Sequence, residues 1–202
     1  LLLDFNLVTN KSTLKNLSNS EFDLLLINTR RPVIWNKESL KIAKKLNFKN
    51  IKLDYNTSDI HPKLNQMIKD FERFIKTSEF LSKKFTVNNI SFWEIFEDDF
   101  ILFCKKRFSE ILFFIDSLNY LLDNEDIKLL VTLDDSQQIG RTATVLCNNR
   151  KIPTILSLNT DINIFYDEKR NWEVFTLDKI YADKFAIYGN LTKQLCLNHN
   201  ID

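Results

Sequence analysis

At 202 residues, 44% of them hydrophobic, the chain can bury a sizeable core, which excludes a disordered polypeptide. Its 28 basic and 27 acidic residues leave a formal charge of +1, so composition gives no ground for a general nucleic-acid or anionic-membrane surface, although a local basic patch stays open. Three widely spaced cysteines (Cys104, Cys147, Cys196) argue against a disulfide framework and a Cys-x-x-Cys metal site, and two glycines (Gly140, Gly189) are too few for a G-x-G-x-x-G loop or a P-loop.

A reducing cytoplasm suits this cysteine usage. No apolar run reaches the roughly 18 to 20 residues that span a bilayer, and the opening residues lack the basic, apolar and small-residue pattern of a secretory leader. The chain starts inside an apolar run without Met and stops just after a helix-like segment, so a fragment of a longer protein is expected.

In chain order, residues 1–5 read as a buried strand, and Asn10 or Ser12 can cap a short helix carrying Leu14 and Leu17. Residues 23–28 (DLLLIN) form a second apolar run, continuous rather than alternating, as expected where helices cover both faces of a sheet. The turn Thr29-Arg30-Arg31-Pro32 follows. Asn36 or Ser39 starts a helix through Leu46, and residues 50–53 (NIKL) make a third strand ending at Asp54. Successive βα repeats predict the doubly wound α/β class.

From about residue 58 to 124 the pattern turns helical. Pro62 suits a first helical turn, and Leu64, Met67, Ile68, Phe71, Phe74, Ile75 and Phe80 recur at three- and four-residue steps. After Asn88-Asn89 a second helical stretch carries Phe92, Trp93, Phe96, Phe100, Phe103, Phe108 and on to Leu122. This predicts a helical insertion packed on the sheet. Aromatic stripes at helical spacing are usually core, with a hydrophobic acceptor groove or a peripheral membrane contact as alternative readings.

Residues 127–161 (IKLLVTLDDSQQIGRTATVLCNNRKIPTILSLNTD) read as strand, polar turn, helix, proline-led strand and polar turn. Such a βαβ unit belongs to a parallel sheet, where ligands bind outside the carboxyl ends of the strands. Both turns, Asp134-Asp135-Ser136 and Asn159-Thr160-Asp161, are therefore expected at one crevice. Residues 162–178 look irregular, 180–188 form another strand, Gly189 a tight turn and 191–198 a last helix. With no Pro/Gly/Ser linker, the chain reads as one Rossmann-like domain with a helical insertion.

At a strand end, Asp134 and Asp135 can act as a general base or hold a sugar hydroxyl, and equally one of them can cap the next helix. Gly140-Arg141 lies where helix dipole and guanidinium favour an anion, although a surface arginine is as good a reading. Arg30-Arg31-Pro32 can grip a phosphate or carboxylate, or brace its own turn. Ser136 lacks the glycine neighbours of a nucleophile elbow. His61 and His199, far apart and without clustered Cys or Asp, predict no metal site.

The phrases VTLDDS, GRTATVLC, RKIPTILSL, YADKFAIYGNLTKQL and the final NHNID, with the earlier INTRRPVIWNKESL, are short and together span most of the chain. In this order they resemble the amino-terminal half of a GT-B glycosyltransferase of the surface-polysaccharide type, a grouping that includes glycerophosphotransferase-like and nucleotide-sugar 2-epimerase-like proteins. The resemblance implies an acceptor-side half that faces a donor-binding half expected after Asp202, and that is inactive alone. It implies a nucleotide-sugar donor and a glycan or lipid-linked acceptor, with no nucleic acid and no metal or other cofactor. Asp134 or Asp135 would be the base, Asn159 and Asp161 would position the acceptor with Ser136 as a further substrate ligand, and Arg30, Arg31 or Arg141 would balance phosphate charge. Many relatives carry His-Gly where this chain has Leu158-Asn159, a departure that puts activity in question. A 2-epimerase and a non-catalytic binding or assembly module are the alternatives.

Overall fold

A computed structural model describes residues 1–29, 32–46, 48–51, 53, 62–134, 137–157, 165–167, 172–174, 180–187 and 189–198. The first apolar runs become strands: β1 (Leu2–Leu3), helix α1 (Lys11–Ser18), β2 (Leu24–Ile27), α2 (Lys37–Ala43) and β3 (Phe48–Ile51). All four residues of β2 are buried, as its unbroken apolar run requires. Strand β1 is shorter than its sequence run because Asp4 adopts φ +60°, a left-handed conformation that Asp tolerates better than most residues and that leaves the ladder. Helix α2 starts on Asn36, whose side chain accepts from the Ser39 amide at 2.7 Å while the Ser39 hydroxyl accepts from the Asn36 amide at 2.9 Å. This reciprocal pairing satisfies two amide donors that the first turn leaves open.

Next come α3 (Pro62–Thr77), α4 (Glu79–Lys84), β4 (Thr86–Val87), β5 (Ile90–Ser91) and α5 (Trp93–Asn124). They are followed by β6 (Leu130–Thr132), α6 (Gln138–Asn149), β7 (Thr154–Ser157), β8 (Phe165–Asp167), β9 (Trp172–Val174), β10 (Lys184–Ala186) and α7 (Gly189–Asn198). Six strands build one sheet in the order β10-β7-β6-β1-β2-β3, and every pairing in it is parallel. Chain order along the sheet thus runs outward from β1 in one direction and from β6 in the other, the order of a doubly wound, Rossmann-like sheet. Exposed Lys49 on β3 and Lys184 on β10 put a charge on each edge strand, which discourages further pairing.

The chain divides into two compact units, Leu1–Leu53 with Ser117–Asp202, and Asp54–Asp116. In the first unit, Leu14 of α1 and Ile42 of α2 pack with Leu2, Leu24, Leu26 and Val131 of the sheet. The alternate residues Leu3, Leu25, Ile27, Leu130 and Thr132 are buried too, so both faces are covered. Helix α6 lies against β6 and β7 through its buried Ala143, Thr144 and Cys147. The stretch expected to be irregular contains the antiparallel ribbon β8-β9.

The second unit departs most from the expected pair of helices. Asn88 and Asn89, at φ +50° and +63°, form a two-residue turn that pairs β4 with β5, so Phe92 stands on a ribbon and the helix begins at Trp93. Ile75, Trp93 and Ile101 form the small core with Phe71, Leu81 and Phe96 around them. Phe71 meets Phe108 edge-on at 5.2 Å, and Trp93 meets Phe100 at 5.6 Å. Core packing accounts for one aromatic stripe only, because Phe74, Phe80 and Phe103 are largely exposed.

Candidate functional site

Strand order locates the crevice. Neighbours β1 and β6 continue in opposite directions along the sheet, so the helices after them leave on opposite faces and open a gap beyond their carboxyl ends. The residues that follow these two strands, from Asp4 and from Leu133-Asp134, border that gap.

On the β1 side the loop is held by its own polar groups. The Asp4 carboxylate accepts from the Thr29 amide at 2.6 Å and from the Thr29 hydroxyl at 2.9 Å, while the Asp4 amide donates to the Ile27 carbonyl at 2.8 Å. These bonds clamp the ends of β1 and β2 together and hold Asp4 in its left-handed conformation. Asn28 adds a bond from its side-chain amide to the Phe5 carbonyl at 3.1 Å, and its own side-chain oxygen is buried without a partner among the described residues. Further along, the Asn10 side chain accepts from the Asn6 amide and the Asn6 side chain from the Val8 amide, both at 2.9 Å. Asn10 therefore stands at the start of α1, but its side chain reaches back into the loop instead of capping the helix.

On the β6 side, Asp134 turns toward the backbone. Its carboxylate accepts from the Gln137 amide at 3.1 Å, and the buried Thr132 hydroxyl donates to the Asp134 carbonyl at 2.9 Å. This bond braces the turn before α6 and differs from the helix cap expected of Asp134 or Asp135, since the N-cap position of α6 is Gln137. Gly140 is buried in the first turn of α6, where its carbonyl accepts from the Thr144 hydroxyl at 3.0 Å. The Arg141 guanidinium stacks over the Tyr181 ring at 4.6 Å, a cation–π contact that ties the start of α6 to the residues before β10.

No family model, curated protein or solved structure matches the chain. Of the expected site residues, Asp134 lies at a strand end beside the crevice and Arg141 one turn into α6. Asp135, Ser136, Arg30, Arg31, Asn159 and Asp161 lie outside the described residues, as do Leu158 and His61. Asp4, Asn28 and Thr29 are the site residues that sequence reasoning passed over. A signal existed in the shared ending of two apolar runs, Leu-Leu-Leu-Asp at residues 1–4 and Val-Thr-Leu-Asp at 131–134.

Among the described residues no group of three or more His, Cys, Asp or Glu side chains could hold a metal ion, and no helix is long and apolar enough to cross a membrane. A shallow cleft of about 410 Å³ lies at the opposite, amino ends of β6 and β7, lined by Leu129, Lys151, Pro153, Asp183 and Lys184 among others. Its one carboxylate, Asp183, is engaged by Thr154, so the cleft offers two exposed lysines over an apolar floor and no convergent polar constellation.

Proposed function

We propose that this chain is the acceptor-side domain of a GT-B-type transferase that moves a sugar or polyol phosphate from a nucleotide donor onto a surface glycan or lipid-linked acceptor in the cytoplasm. The observation that carries the reading is the reversal of strand order at β1 and β6, with a carboxylate at the end of each strand, Asp4 and Asp134. Ligands of open parallel sheets bind at such a point, and carboxylates there suit hydroxyl-bearing acceptors because they accept hydrogen bonds and can take a proton. In this reading Asp134 or Asp135 removes the acceptor proton, while Asn159, Asp161 and Ser136 orient the acceptor. Arg30, Arg31 and Arg141 offset phosphate charge, and donor binding falls to a partner half. A fold by itself names no reaction, and the transferase assignment rests on the resemblance stated above.

A second reading, a non-catalytic binding or assembly module, is favoured by one specific contact. The Asp134 carboxylate already accepts the Gln137 amide, as a structural brace would. The two readings separate in an assay of the protein as its host makes it, with labelled nucleotide-sugars and the host's glycan and lipid fractions. The transferase reading expects label in the acceptor fraction and a loss of at least about 100-fold in Asp134→Asn or Asp135→Asn, the size of a general-base contribution, with the circular dichroism unchanged. No transfer from any donor tested, or full activity in both variants, would sink it and leave the binding module.

A further inference from the structure

Charge is unevenly spread over the first unit. Helix α1 exposes Lys11 and Lys15, and α2 exposes Lys37 and Lys41, followed by exposed Lys44 and Lys45 in the turn that ends it. Among the described residues none of these six lysines is paired with a carboxylate. Along the two helices and that turn the only acidic residue is Glu38. The chain's net charge of +1 conceals the patch, because the balancing carboxylates lie elsewhere.

The fold gathers these lysines into one layer. Leu14 of α1 and Ile42 of α2 pack into a single cluster with Leu2, Leu24 and Leu26, so both helices cover the same face of the sheet. They connect the adjacent strands β1, β2 and β3 and therefore lie side by side. On α2, Lys37, Lys41 and Lys44 recur at steps of four and three, opposite the buried Ser39 and Ile42, and so point away from the sheet. On α1, Lys11 and Lys15 are one turn apart, and a right-handed crossover puts that side of the helix next to α2. Apolar side chains break the surface here too. Leu40 stands between Lys37 and Lys44 on α2 and is 41% exposed, while Ile34 and Trp35, just before the helix, are 45% and 48% exposed.

We propose that this helical layer docks on an anionic bilayer, with its lysines at the headgroups and Leu40, Ile34 and Trp35 entering the boundary between headgroups and acyl chains. Lysines without neighbouring carboxylates select an anionic partner. The apolar side chains among them select a bilayer over nucleic acid, since a lipid boundary buries them and a phosphate backbone leaves them in water. Tryptophan is favoured at that depth. Neither helix carries an arginine, and lysine suits a diffuse negative surface better than a bidentate grip on one phosphate. Six lysines less Glu38 leave five net charges, and each strengthens binding to an anionic leaflet about fivefold. Docking of this layer requires no crevice residue, so it stands apart from the transferase reading.

Co-sedimentation of the whole chain with vesicles, in the absence of donor and acceptor, tests this. Vesicles of equal parts phosphatidylcholine and phosphatidylglycerol should carry the chain down at about 0.1 M salt and release most of it at about 0.5 M, where screening is stronger. Pure phosphatidylcholine should bind at least about tenfold more weakly. Lys41→Glu with Lys44→Glu should weaken binding at least about 100-fold, and so should Lys11→Glu with Lys15→Glu, each with unchanged circular dichroism. Leu40→Gln, which alters no charge, should weaken it at least about threefold. A control pair on exposed lysines of the second unit, Lys69→Glu with Lys106→Glu, should leave binding nearly unchanged. No binding to the mixed vesicles, or an equal loss in the control pair, overturns the proposal. So does retention by a DNA or RNA duplex, unaffected by Leu40→Gln, in a chain that ignores vesicles, which would assign the lysines to nucleic acid.

Discussion

The Asp183 carboxylate accepts from both the backbone amide and the hydroxyl of Thr154, at 2.8 and 3.0 Å, while the Asp183 amide donates back to that hydroxyl at 2.9 Å. Thr154 is fully buried, and Asn148 at the end of α6 joins the group through its side-chain oxygen, 3.0 Å from the same hydroxyl. These bonds fasten the lead into β10 onto β7, so the Ala-Asp-Lys phrase is structural at its aspartate. Thr154→Val keeps the shape and removes the hydroxyl, leaving the Asp183 amide and part of its carboxylate without a partner. We expect a loss of about 1–3 kcal/mol in urea unfolding and a much smaller loss for Thr154→Ser. Equal losses in the two variants would show that the methyl group, and not the hydroxyl, matters.

Asp4 combines a left-handed backbone with two bonds to Thr29. Asp4→Ala should cost about 2–4 kcal/mol, since hydrogen bonds to a charged group contribute about 1.5–3 kcal/mol and alanine resists a positive φ. Asp4→Asn tolerates that φ and keeps one acceptor, so it should cost about 1 kcal/mol. The ordering of the two denaturation midpoints is the check, and a reversed order would contradict the clamp.

Burial raises the Cys147 thiol from 9.0 to about 11, partly offset by the nearby Arg150. The fold favours the neutral thiol, so its stabilising contribution is fully present below pH 9 and is lost as pH rises through about 11. Stability of the wild type should therefore fall more steeply between these values than stability of Cys147→Ala, measured by urea titration at each pH. Mass spectrometry after brief alkylation at neutral pH should find Cys147 unmodified until the chain unfolds, because the buried thiol supplies little thiolate.

Asn88 and Asn89 both adopt positive φ in a two-residue turn, where Asn-Gly is the favoured pair. Asn89→Gly should raise the thermal midpoint of the chain, because relief of the positive-φ strain outweighs the entropy that glycine adds to the unfolded chain. A lower midpoint would mean that the Asn89 side chain contributes more than its backbone strain costs.

Where the sheet is covered on both sides its strands were legible: the unbroken run at β2 and the proline-led β7 stand where periodicity places them. Strand β3 begins two residues before the expected Asn50, because its exposed Lys49 and Asn50 belong to an edge and carry no apolar pattern. The ribbon around Asn88-Asn89 was hidden by aromatic residues at helical spacing on both sides, although Phe85-Thr86-Val87 and Ile90-Ser91-Phe92 alternate as strands do. At the site, Asp134 was found as a strand-end acid. Asp4 was not, since its importance depends on β1 lying beside β6, and residues so distant in sequence carry no local trace of that pairing.

That pairing also orders events in time. Leu2 is joined on one side by Leu26, but on the other by Val131. Roughly 130 residues separate the second pair, about 6 to 26 s of synthesis at 5–20 residues per second. During that interval β1, β2 and β3 can pair while the far edge of β1 stays unpartnered, so the centre of the finished sheet is, for a nascent chain, the edge it has to protect longest.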